Sequence, residues 1–256
     1  MTQLHWTINN TASHQKWDYE KELTTPLARA LSSKPVSSSA DHKFHRYLML
    51  PNYWADWYPR NAFPMGSVTA NRTRRDDGEW SYKVMHSNDQ SGEHLNLNFA
   101  CKDEPLRPLI SPWNIRTSNS ADSSYSGIDW TAQCQNAEGK LNVQLTTANG
   151  MSFVSGVCNP QNPTGFWALL DILPALAGDT VDDLCVLEDL QIPKLNCRIR
   201  PLEKWTFELQ GGHHQLFGYS LQGEGLPPTY WWVTETGDVA LIAMTFSTYV
   251  LVERDG

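Results

Sequence analysis

The chain lacks the short motifs that announce common chemistries. Its five cysteines, Cys101, Cys134, Cys158, Cys185 and Cys197, include no Cys-x-x-Cys pair, which excludes a thioredoxin-like redox motif and a zinc ribbon. No GxGxxG follows a strand-like run, no GxxxxGK[ST] loop is present, and no GxSxG elbow occurs. Positive charge is also in deficit. Lys and Arg total 20 against 28 Asp and Glu, a net charge of −8, which argues against nucleic acid and anionic membrane surfaces as partners. The one basic cluster, Arg72, Arg74 and Arg75, is followed at once by Asp76, Asp77 and Glu79 and reads as a charged turn. Long apolar runs are missing too. The strongest, Phe166 to Ala177, is too short to span a bilayer. Met1 to Asn10 holds no apolar leader, so a cytoplasmic location is expected, with export or organellar import after loss of a targeting segment as the alternative. The odd cysteine count leaves at least one thiol free, and Cys101, Cys134 and Cys197 fall in phase with apolar neighbours as small hydrophobes, which favours reducing surroundings.

Aromatic residues are abundant: 11 Trp, 9 Tyr and 8 Phe in 256 residues. Large rings suit the pleated, half-buried surface of strands. From His45 onward apolar and polar residues alternate, as in Trp80-Ser81-Tyr82-Lys83-Val84, Leu95-Asn96-Leu97-Asn98-Phe99, Leu141-Asn142-Val143-Gln144-Leu145 and Trp205-Thr206-Phe207-Glu208-Leu209. Period two marks strands with one face on a core and one toward water. Turn signals separate them, among them Asp77-Gly78, Asn149-Gly150 and Gly237-Asp238. The run Val239 to Val252 is almost continuously apolar and predicts a last strand region buried on both sides.

Helical spacing occurs in two places. Glu20 to Leu31 predicts a short helix inside an N-terminal extension, residues 1–40, that ends in the Ser-rich linker Ser32 to Ala40. Asn162-Pro163-Thr164 reads as a cap and first turn for a second helix near 163–177, with an apolar stripe wide enough to plug a curved sheet. Residues 41–256 therefore read as a single β domain of two similar meanders joined by that helix. The runs Glu79–Val84 and Lys204–Leu209 carry the similarity. The expected fold is all-β: a strongly curved antiparallel sheet or half-barrel with one packed α-helix. A two-sheet β-sandwich or jelly roll is the alternative. This order of elements is similar to that of the curved-sheet carriers of the LolA/LolB type.

The Pro-bounded segment Pro51 to Pro64 does not alternate, so some of its rings fall outside a regular core face. Trp54, Trp57 and Tyr58, with Arg60 to orient a ligand, are the candidate binding residues. Trp231 joins them, because Trp231 and Trp232 must face opposite sides of one strand and one of the two leaves the main core face. Catalytic alternatives are the histidines His86, His94, His213 and His214 and the loop carboxylates Asp103 and Glu224, whose pairing would suit glycoside chemistry. His42 and His45, three apart, have only Asp41 near them as a third metal ligand, so neither metal nor cofactor is expected. Three functions follow. The first is binding of a small apolar or amphipathic ligand on an aromatic-lined concave surface. The second is a carbohydrate-active lyase or hydrolase with a sugar substrate. The third is an assembly subunit that holds a protein partner through residues 1–40.

Overall fold

The computed structural model describes residues 19–32, 41–52, 64–89, 92–110, 113–119, 130–137, 140–147, 150–158, 162–188, 193–209 and 212–255. The alternating segments form strands that join in one long, nearly closed, barrel-like sheet. The first run is a meander: β1 (His42–Pro51), β2 (Gly66–Arg74), β3 (Trp80–Asn88), β4 (Glu93–Cys101), β5 (Trp113–Asn119), β6 (Trp130–Ala137), β7 (Lys140–Thr147) and β8 (Ser152–Cys158). The second comprises β9 (Pro163–Gly165), β10 (Val181–Leu187), β11 (Lys194–Pro201), β12 (Trp205–Leu209), β13 (Gly212–Gly223), β14 (Leu226–Thr234), β15 (Val239–Ala243) and β16 (Ser247–Arg254). β1 and β16 pair along their length and close the two runs into one surface. The order is β8-β7-β6-β5-β4-β3-β2-β1-β16-β15-β14-β13-β11-β10-β9, with β12 paired to β13 beside this path. The curved-sheet expectation holds, with one parallel pair, β9 on β10.

Alternation sets the faces. Along β2 the inward positions are Val68, Ala70 and Arg72, and along β3 they are Trp80, Tyr82 and Val84. Register aligns Lys43, Arg72, Tyr82 and Phe99 in one row across four strands. The last strand region, Val239 to Val252, is a hairpin. Met244 N–H donates to Ser247 O across a turn, giving β15 and β16. Both are buried from two sides. Tyr249 and Leu251 face the interior, and Leu241 and Val250 face outward under the helix α1 (Tyr19–Ser32). Leu23, Leu27 and Leu31 form that helix's apolar stripe, spaced four apart.

The second helix starts later than its sequence suggests. Pro163–Gly165 pairs with β10 as a strand, because the N–H groups and carbonyls of Cys185–Leu187 offer an open edge. A 3₁₀ turn, Phe166–Ala168, and the short helix α2 (Leu169–Leu176) follow, with Pro174 inside α2. This segment lies on the concave face. Gly165 permits its entry: a Cβ there would stand 2.6 Å from Cε2 of Phe99, whose ring stacks on Tyr82 at 4.6 Å. Leu109 N–H donates to Pro163 O and Thr164 Oγ1 donates to Arg107 O, which tie the segment to the loop after β4. Phe166 through Leu173 are buried throughout.

Candidate functional site

Two environments divide the concave face. The deeper one is aromatic. Trp167 meets His86 edge-on at 5.3 Å, lies nearly parallel to Tyr249 at 5.9 Å and tilts against Tyr47 at 6.4 Å. Phe166 packs on Trp231 at 4.8 Å. Such pairs add about 0.5–1.5 kcal/mol each beyond the area they bury.

The other environment is a polar network near one rim of the barrel, centred on Arg72. Arg72 is 1% exposed, so its charge must be paired. Its Nη1 donates to Asp171 Oδ1 at 2.8 Å, and its Nη2 donates to His45 Nδ1 at 2.6 Å. Asp171 comes from the first turn of α2, where a carboxylate also favours the helix dipole. The same Oδ1 accepts from Lys43 Nζ at 3.1 Å, and Oδ2 accepts from the Tyr82 hydroxyl at 2.8 Å. Burial alone would raise the Asp171 carboxyl, but Arg72, Lys43 and Tyr82 outweigh it and hold it below the usual carboxylate range.

His45 is fixed in one tautomer by these contacts. Nδ1 accepts from Arg72, so Nε2 carries the proton and donates to Asp238 Oδ1 at 3.2 Å. Burial and the neighbouring Arg72 charge lower the imidazole to about 4, and Asp238 offsets only part of this. Asp238 in turn pairs with Arg254, and Thr236 Oγ1 donates to its Oδ2 at 2.9 Å. Tyr47 donates to Val239 O at 3.0 Å beneath the cluster.

This network corrects the reading of Arg72 as part of a charged turn. Arg72 is in phase with Val68 and Ala70, so the strand drives it inward, whereas Arg74, in the same phase but at the strand's end, and Arg75, beyond it, remain on the surface. Parity carried that signal in the sequence. Its partner Asp171, 99 positions away, carried none.

The predicted site residues are dispersed. Trp54, Trp57, Tyr58 and Arg60 lie outside the described residues. Trp231 is fully buried under Phe166, and its Nε1 donates to Thr229 Oγ1 at 3.0 Å, so it is a core ring and lines no open surface. Trp232 takes the outer face, beside the exposed rings of Trp205 and Tyr230. His86 and His94 do not meet. His94 pairs with Ser87 in register, which turns it outward while His86 faces Trp167. His213 and His214 stand opposite Glu208 and Phe207, on alternate faces of β13.

Asp103 and Glu224 sit at opposite rims. Adjacent strands from β4 to β13 are antiparallel, so the end of β4 shares a rim with the start of β13, and Glu224 follows the far end of β13. They cannot flank one bond. Asp103 is engaged by Arg107, which chiefly holds its carboxyl low, and by Arg74 and the Trp80 indole. Asn196 donates to Glu224 at 3.3 Å. His42 and His45 also face opposite sides of β1, His42 on Asp255 and His45 inside, so they share no ligand. Cys101, Cys185 and Cys197 are buried free thiols, and burial pushes Cys101 up to about 12 and Cys197 to about 11. That makes both poor nucleophiles.

No family model matches the chain, and no curated protein matches it. Among solved structures the chain is similar to the crystal structure of a beta-barrel-like protein of the domain of unknown function DUF1849 from Brucella abortus. The two share 9% identity with a TM-score of 0.49, over 86% of this chain and 99% of that one.

Proposed function

We propose that the protein binds an apolar or amphipathic small molecule inside the barrel, where the ligand takes the place of segment 163–176. One observation carries this reading: the concave face is filled by a short, almost wholly apolar segment entered and left through left-handed backbone. Asn162 (φ 42°) precedes it, and Ala177 (φ 49°) and Gly178 (φ 97°) follow it. Non-glycine residues in that region cost about 1–3 kcal/mol each and gather where a segment changes position. Its contacts are those an apolar ligand would make: Trp167 on His86 and Tyr249, and Phe166 on Trp231. A single carboxylate, Asp171, tethers it to the wall. The carbohydrate-enzyme alternative loses support, because the candidate histidines face different sides and the candidate carboxylates occupy opposite rims.

The test is titration with 11-(dansylamino)undecanoate, an amphipathic probe that brightens in apolar surroundings, alongside hydrogen exchange. Saturable binding at one site per chain with faster amide exchange across 166–176 is the expected result. No saturable binding, or binding with unchanged exchange in that segment, overturns the reading.

A further inference from the structure

We infer that Arg72, Lys43 and Tyr82 form a receptor for the carboxylate head of an amphipathic ligand, with Asp171 as the internal occupant that the ligand displaces. The inference rests on the ligand-binding reading above and names the class of ligand. It starts from where the charges are attached. Arg72, Lys43 and Tyr82 belong to β2, β1 and β3, which stay in the wall, whereas Asp171 belongs to the segment that leaves. When Asp171 departs, two cations and a hydroxyl donor remain with no anion among them.

His45 does not repair this. It accepts from Arg72 through a neutral ring nitrogen, which orients the guanidinium without neutralising it. Asp238 is already engaged by His45 and Arg254. An arginine buried to 1% exposure and stripped of its anion is strongly disfavoured, because its charge is left uncompensated away from water. A neutral ligand that expelled the segment would meet that whole penalty. A ligand bearing its own carboxylate would cancel it. The interior therefore selects for charge as well as for apolar surface.

The geometry fits a carboxylate in particular. Asp171 uses both oxygens, Oδ1 for Arg72 and Lys43 and Oδ2 for Tyr82, so the wall is arranged around a planar two-oxygen group. Arg72 Nε is buried and has no hydrogen-bond partner among the described residues, so one further donor is available. Lys43 is 43% exposed and gives the head group a path from the rim. The apolar tail would follow the course of Leu170, Trp167 and Phe166 toward Tyr249 and Trp231.

The experiment is calorimetric titration of the full chain with dodecanoate, dodecanol and dodecylammonium, each as monomer in solution. Dodecanoate should bind at least about tenfold more tightly than either of the others. In the double variant Arg72→Met/Asp171→Leu, which removes both buried charges and so leaves none unpaired, dodecanol binding should persist and the preference should shrink to within about threefold. In the wild type, dodecanoate should speed amide exchange across 169–176 at concentrations where dodecanol does not. Equal binding of all three amphiphiles, or a preference that survives in the double variant, overturns the carboxylate receptor and leaves the ligand-binding reading standing. Binding of none of them overturns both.

Discussion

The helix on the concave face and the helix on the convex face meet the same sheet by different means. α1 lies outside on β15 and β16 and contributes an apolar stripe, Leu23, Leu27 and Leu31, against Leu48, Leu50, Leu241 and Val250. α2 and its leading 3₁₀ turn lie inside, buried on every side, and add one charged group to the wall, Asp171. An apolar stripe is adjustable, because hydrophobic contact has no direction and neighbouring packings differ little. A buried carboxylate has few acceptable positions, since every donor it leaves becomes an unsatisfied buried group. The inner segment is thus held in one register by a polar tether, and the outer helix presents its apolar stripe.

The largest effect expected from breaking this contrast is at Trp167. Trp167→Ala should lower stability by about 3–5 kcal/mol in urea or thermal unfolding, because it empties the aromatic pocket between His86 and Tyr249. Arg72→Met alone should cost a similar amount, about 3–5 kcal/mol, because it leaves the Asp171 carboxylate buried with reduced pairing. Adding Asp171→Leu should restore most of it. If the double variant is no more stable than the single, the tether is not an ion-pair effect. On the outer face Leu27→Ala should cost less, about 2–3 kcal/mol, and should leave exchange at the inner segment unchanged.

A smaller and more specific effect is in pH. His45 has its folded value lowered to about 4 against an ordinary 6.5, so the unfolded chain takes up a proton before the folded one does. The stability contributed by neutral His45 is complete above pH 6.5 and is lost as pH falls toward 4, with a slope of up to about 1.4 kcal/mol per pH unit. Replacing His45 by Gln should flatten the stability profile between pH 6.5 and 4. The same slope in the variant would remove His45 as its source. The smallest effect belongs to the exposed pair Arg46–Glu253, at 2.9 Å on the surface of β1 and β16. Arg46→Ala should change stability by less than about 1 kcal/mol.

Much of the fold was legible along the chain. The alternation around Trp80, Leu97 and Val143 placed strands and faces correctly, because period two is a local consequence of the pleat. The helix boundary at 163 was misplaced because a cap-like Asn-Pro-Thr is also compatible with a short strand, and only the open edge of β10 selects between them. The similar runs at Glu79 and Lys204 part company for the same reason. Trp80 is nearly buried between Lys43 and Arg107, while Trp205 is 40% exposed on a strand beside the main sheet path. The candidate site was the least legible part. Arg72 could have been suspected from its parity with Val68 and Ala70, but nothing near it in sequence pointed to His45, Asp238 or Asp171.

By itself, then, the sequence determined that this chain is a curved, aromatic-rich β structure with a plug-like apolar segment, because strand and helix periods are written in neighbouring residues. Which carboxylate meets Arg72, which histidine is neutral and which tryptophan faces inward were decided by tertiary structure alone. Each depends on groups from distant strands arriving at one place, where burial makes a single arrangement of charges and hydrogen bonds far cheaper than the rest.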